Sequence, residues 1–364
     1  MGKRIFFIDN LRTCVILLAI ICSAASEFMI YPDSHAYLLA QTRSWGADIF
    51  ISWSAQIILP VLFFISAFFG SSSLHIHVSR VFFKEKWIRL GWPWLFGVLI
   101  LAPEPAFFSY LNHDSTISFT DFYLYHFWSD GFSQGQFWFL SLLLGFFLLL
   151  IAAKKCSHAF LQRKPASIPG PLFWTGIFIL HSLGLYITQS VWSNHWINLL
   201  YVFTFRANFL ITSLIYFFLG VHAYKYRWLT PHGYTPSAAW LPVFLIISVM
   251  YACLLSVYAG PALPVLSAAA ASLLSLSGLL ALTAVFAKWG NQNTRFTITL
   301  AHISYPLYFV SETLLQTTAY FLQPLALGGC FKIILILTLT FIYGYLISKY
   351  ALIHLPCFKK QYFI

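Results

Sequence analysis

The stretch 8-IDNLRTCVILLAIICSAASEF-28 decides how the chain is read. It is an apolar run of membrane-crossing length that still carries Asp9 and Arg12 at one end, Ser23 inside it and Glu27 near the other end. An α-helix turns about 100° and rises about 1.5 Å per residue, so Arg12 and Ser23 lie within about 20° of one face and roughly 16 Å apart. Asp9 and Glu27 flank the same stripe. A charged group at membrane depth costs at least a few kcal/mol, which makes each one a functional candidate. For Arg12, snorkelling or an i,i+3 pairing with Asp9 is an equally good account.

Comparable apolar runs recur along the whole chain. Of its 364 residues 60% are hydrophobic, 20% aromatic and only 9% charged, against about 25% charged in a soluble domain. Crossing about 30 Å of hydrocarbon takes about 20 helical residues, and the backbone must satisfy its own hydrogen bonds there, so helices or a closed barrel remain. Runs without strand-like alternation predict an all-α fold, a polytopic transmembrane helical bundle forming one domain over 1–364. Ten spans are predicted near 8–30, 48–72, 88–108, 134–153, 171–190, 200–223, 238–258, 262–287, 296–322 and 328–352.

The basic residues fall in alternate connections: Lys3 and Arg4; Arg80, Lys84, Lys86 and Arg89; Lys154, Lys155, Arg163 and Lys164; Lys225 and Arg227; Lys288 and Arg295; Lys359 and Lys360. The intervening loops hold almost none, Arg43 being the main exception, so both termini are predicted to be cytoplasmic. Topology therefore accounts for the net charge of +11, and no nucleic-acid partner is expected. Residues 109–133 and 190–198, on the other side, are rich in aromatic and hydrogen-bonding side chains. These suit sugar faces, although interfacial Trp and Tyr belts are the commoner cause. The six cysteines (Cys14, Cys22, Cys156, Cys253, Cys330 and Cys357) have no metal-like spacing and read as small apolar residues, so no metal is expected. The first segment lacks a clear signal-peptidase site and reads as a retained helix.

The ninth segment, 297-TITLAHISYPLYFVSETLLQTT-318, repeats the opening theme. Ser304, Tyr308 and Ser311 share a helical face, with Tyr305, Glu312 and Gln316 on the adjoining one. Glu312 needs a cation or water at that depth, and Arg206, placed in the sixth span, or Arg12 would serve. In 80-RVFFKEKWIRLGWPWL-95, Lys84, Lys86 and Arg89 precede Pro93. Positive-inside anchoring explains them, and so does a phosphate site for a nucleotide-linked thioester.

Six segments in order, IDNLRTCVILLAIICSAA, LPVLFFISAFFG, FKEKWIRLGWPWLFG, GQFWFLSLL, IYFFLGVHAY and ISYPLYFVSE, resemble the acyltransferase 3 family, especially its glucan succinyltransferase-like branch. The resemblance covers nearly the whole chain. It implies transfer of a small acyl group from cytoplasmic acyl-CoA, as co-substrate, to a carbohydrate hydroxyl beyond the membrane. It also implies a multi-pass protein of a bacterial inner membrane. Asp9 and Arg12 match the family's first signature, with Ser23 in the place of its His. Ser304, Tyr305 and Tyr308 match the late signature, with Ser311 in the place of its His. Trp138 and Phe139 are kept, with Gln136 in the place of a third His, and the basic pair is kept as Lys86 and Arg89 before Pro93.

The catalytic set so implied is Asp9, Arg12, Ser23, Glu27, Tyr308, Ser311 and Glu312, and the donor-binding set is Lys86, Arg89 and Trp138. Attack of an alcohol on a thioester needs a base. Glu27 and Glu312 are the carboxylates beside the vacated positions; His302 is a third candidate that faces elsewhere on an ideal helix. Two functions fit: an O-acyltransferase with a carboxylate as base, or a catalytically silent relative that binds or exports a glycan or lipid.

Overall fold

The computed structural model describes residues 6–30, 43–111, 116–129, 131–157, 159–192, 195–230, 232–257, 264–325 and 327–358. The charges at Lys3, Arg4, Lys359 and Lys360 lie outside the described residues, as does part of the loop 109–133. Ten long helices stand where the ten spans were predicted: α1 (Phe6–Ser26), α2 (Trp45–Ile76), α3 (Ser79–Leu111), α4 (Gly135–Cys156), α5 (Pro171–Trp192), α6 (Ala207–Lys225), α7 (Trp240–Val257), α8 (Pro264–Trp289), α9 (Arg295–Leu322) and α10 (Gly329–Tyr350). Eight of these segments are long and apolar enough to cross a membrane. Of the other two, α7 is apolar but shorter in its apolar run, and α9 is long but too polar along its length. The fold is an all-α polytopic bundle, and the protein is an integral multi-pass membrane protein.

Two of the helix pairs show how the bundle packs. The first is α2 against α6, where Gly220 lets the backbones meet. A Cβ at that position would stand 2.3 Å from the Phe64 carbonyl oxygen and 2.9 Å from the Ala67 Cβ. Small residues at such crossings permit the close packing that drives association where water supplies no hydrophobic force. The second is α1 against α9, where Ile20 and Ala24 pack with Ile303, Leu307, Leu315 and Ala319.

The sixth span was predicted from residue 200, but residues 196–206 fold as an antiparallel hairpin before α6 begins. Trp196–Leu199 (β1) pairs with Phe203–Arg206 (β2), with Trp196 opposite Arg206. Leu199 pairs with Phe203, so Leu200, Tyr201 and Val202 form a three-residue loop; Leu200 and Tyr201 turn the chain with φ of 53° and 58°, and the Val202 N–H donates to Leu199 O at 3.1 Å. Aromatic and β-branched residues favour the pleated form, and Thr204 donates to Asn198 Oδ1 across it at 2.6 Å. Arg206 is therefore a hairpin residue and not an intramembrane helical charge. Its guanidinium lies over the Trp196 ring at 4.9 Å.

Helix α3 owes its shape to three prolines. Pro93, Pro103 and Pro105 each lack the N–H that would reach the carbonyl four residues back, at Arg89, Leu99 and Leu101. The backbone loosens there into two π-helical turns, Trp87–Gly91 and Gly97–Leu101. Side-chain hydroxyls then serve the same three carbonyls. Tyr305 donates to Arg89 O at 3.0 Å, Tyr123 to Leu99 O at 3.3 Å and Thr313 to Leu101 O at 3.5 Å. Two of the three come from α9, so the prolines of α3 dock it to α9. Tyr305→Phe is expected to cost about 1 kcal/mol of stability, a typical net hydrogen bond. In a Pro93→Ala background, where the new alanine supplies its own N–H to Arg89 O, the same change should cost clearly less. Equal costs in both backgrounds, measured by denaturant unfolding in detergent, would refute this coupling.

Candidate active site

From Tyr305 to Thr317, α9 makes polar contacts with α3, α4 and the turn that follows α1. Glu312 is one of the residues that make them. The Gln136 backbone N–H, in the first turn of α4, donates to Glu312 Oε2 at 2.5 Å. The N-terminus of a helix favours an anion, because its free N–H groups and dipole both point there. Gln136 is further tied to α9: its Nε2 donates to Phe309 O at 3.1 Å, its Oε1 accepts from Ser311 Oγ at 3.2 Å, and its carbonyl accepts from the Tyr308 hydroxyl at 3.4 Å.

The turn before α4 is built to bring this N–H to the carboxylate. Gly135 has φ of +49°, and a Cβ there would stand 3.0 Å from Glu312 Oε2. Only glycine meets both demands without strain. Gln134, fully buried, holds the turn in place. Its Oε1 accepts from Trp94 Nε1 and Ser141 Oγ, and its Nε2 donates to the carbonyls of Tyr201 and Val202.

Two more carboxylates meet the next turn of α9. The Gln316 amide donates to Glu27 Oε1, and the Thr317 hydroxyl donates to Glu104 Oε1. Glu27 is 3% exposed. Glu104, near the end of α3, was not among the sequence-derived candidates. Its signal was present, since a Glu between two prolines on a membrane-length segment is an intramembrane charge like the others. Among the described residues no Lys or Arg stands at ion-pair distance from Glu104 or Glu312.

Lys86, Tyr305, Tyr308 and Glu312 share one property. Each is partly buried and keeps some accessible surface. Along α9, Tyr305, bonded to Arg89 O, and Glu312 stand about 10 Å apart.

The remaining candidates are placed as follows. Arg12 pairs with Asp9 at 3.8 Å on its own helix, the i,i+3 reading. The Ser23 hydroxyl donates to Ala19 O at 3.1 Å, one turn back on α1. Ser311 is fully buried between Tyr308 O and Gln136 Oε1. The Lys86 ammonium lies over the rings of Phe147 and Phe82, at 4.9 and 5.2 Å. Trp138 stacks on Phe209 at 5.7 Å and meets Trp196 edge-on, which commits it to the hairpin side of α4. The structure thus brings Glu27 to α9 beside Tyr308, Ser311 and Glu312 and adds Glu104, Gln136 and Gln316 to them.

A sequence model of the acyltransferase 3 family, described as an acyltransferase domain, matches residues 5–349. No curated protein and no solved structure gives a significant match. With nearly the whole chain matched and the helices of the bundle in their expected places, this membrane acyltransferase-like protein belongs to the acyltransferase 3 family.

Proposed function

We propose that the protein is an O-acyltransferase that moves a small acyl group from acyl-CoA to a carbohydrate hydroxyl, with Glu312 as the base, in a bacterial inner membrane with both termini on the donor side. One observation carries this reading: Glu312 is a partly buried carboxylate with a backbone N–H on one oxygen and, among the described residues, no Lys or Arg at ion-pair distance. It stands about 10 Å along α9 from Tyr305, whose hydroxyl bonds the Arg89 carbonyl in the basic stretch of α3. Lys86 and Arg89 take the donor's phosphates, which suits a guanidinium's paired donors, and the thioester arm follows Tyr305 and Tyr308 toward Glu312. Glu312 removes the proton of the acceptor hydroxyl as its oxygen attacks the thioester carbon.

The donor end is tested by steady-state kinetics in lipid nanodiscs with succinyl-CoA or acetyl-CoA as donor. Arg89→Ala removes the guanidinium but keeps the backbone carbonyl that Tyr305 needs. It is expected to raise KM for the donor about 10- to 100-fold, as loss of a charge-assisted hydrogen bond does, with kcat nearly unchanged. An unchanged KM would place the phosphates elsewhere. Donor binding without any turnover in the native protein would favour the silent, binding-only relative.

A further inference from the structure

We propose that the end of the bundle where α2, α4 and α6 finish carries a headgroup site for one anionic phospholipid, built from Arg163, Lys164 and Lys225. The proposal is independent of the acyltransferase reading, which uses none of these residues. Charge is the first observation. From residue 131 to residue 311 the chain has nine Lys and Arg and no Asp or Glu. Among the described residues no carboxylate stands at ion-pair distance from Arg163, Lys164 or Lys225.

The second observation is how the fold gathers these cations. Lys154 Nζ donates to Leu74 O at 2.6 Å, which ties the end of α4 to the end of α2. The connection after α4 then crosses to the end of α6, where the Lys164 N–H donates to Lys225 O at 2.9 Å. Each cation lies over a ring from these same segments: Arg163 over Tyr224 at 4.8 Å, Lys164 over Tyr226 at 5.8 Å and Lys225 over Phe160 at 5.9 Å. A ring face attracts and orients a cation but leaves its charge uncancelled. Like charges gathered in this way repel one another, so the arrangement favours an anion between them. Positive-inside anchoring asks only for charge in this connection. It does not ask that two segments be tied together with their cations set on rings.

The third observation says what the anion is attached to. Phe173, in the first turn of α5, stacks on His222, in the last turn of α6, at 4.7 Å. Helix α5 therefore starts at the edge of the cationic cluster. From there Leu172, Ile179, Leu183 and Ile187, all exposed, form an apolar stripe down one face of α5. A phosphodiester carrying acyl chains satisfies both features at once. Its oxygens take the guanidinium and the two ammonium groups, and its chains lie along the stripe. Basic pockets between helices at a membrane surface take lipid headgroups in this way. A soluble phosphate would use the cations and leave the stripe without a part.

The test is native mass spectrometry of the full chain in detergent with an equimolar mixture of dioleoyl phosphatidylglycerol and dioleoyl phosphatidylcholine. One phosphatidylglycerol should be retained in preference. Arg163→Gln combined with Lys164→Gln should cut its retention about 20-fold, roughly fivefold for each cation removed at a membrane surface. Lys164→Arg, which keeps the charge, should keep the lipid. Lys288→Gln combined with Arg295→Gln removes the same charge from the same end of the bundle but outside the cluster, and should leave retention close to native. Thermal unfolding in the same detergent shows that each variant is folded. Equal losses in the two double variants would mean attraction to net charge alone and would overturn the site. Release of phosphatidylglycerol by excess coenzyme A or inorganic phosphate would make the ligand a soluble phosphate and overturn the lipid. Equal retention of both lipids by the native protein would refute the proposal outright.

Discussion

Glu312→Gln is expected to lower kcat for acyl transfer by about 10²–10⁴-fold, the usual worth of a positioned base. The substitution is nearly isosteric. The amide oxygen of Gln can still accept from the Gln136 N–H that now reaches Glu312 at 2.5 Å, so the fold and the KM for the donor should be retained. Thermal stability in detergent and donor KM measured beside kcat distinguish loss of chemistry from loss of structure. A Glu312→Gln protein with native kcat would remove Glu312 as the base. Glu27 would then be the carboxylate to test, since it meets the same helix one turn further on through Gln316.

The second large effect is on folding. Gly220→Ala adds a methyl carbon where the Phe64 carbonyl oxygen would stand only 2.3 Å away. The obstacle is backbone, which cannot rotate aside, so α2 and α6 must separate. Overpacking of this kind costs about 3 kcal/mol. It should appear as a lower unfolding midpoint in denaturing detergent and as reduced yield of folded protein. Gly176→Ala on α5 is the comparison, since a Cβ there meets nothing within 4 Å. That change should be neutral or slightly stabilising, because Ala is the better helix former by about 1 kcal/mol. Equal behaviour of the two variants would mean that the close approach at Gly220 contributes nothing.

How much of this was legible in the chain follows from what each property depends on. Span positions come from hydropathy summed over some twenty residues, and such a sum tolerates errors at single positions. All ten predicted segments accordingly overlap helices among the described residues, the sixth only from residue 207, and the family follows from six of them in order. The hairpin at 196–206 escaped because an apolar run fits strand and helix alike; aromatic and β-branched content, not hydropathy, distinguishes them there. The stripe of α1 was legible as a stripe, but the helix period does not say which residues will act. Arg12 settles on Asp9, and Ser23 on Ala19 O.

By itself, then, the sequence determined that this is a helical membrane protein of the acyltransferase 3 family, and that α1 and α9 carry polar groups too costly to leave in lipid. Tertiary structure decided which of those groups meet. Only the folded bundle sets Glu312 on the first turn of α4, hands the orphaned carbonyls of α3 to Tyr305 and Thr313, and brings Glu104 against Thr317. The reason is geometric. Hydropathy fixes a helix's length and depth but leaves its rotation and its neighbours free, and a side chain's partner depends on both.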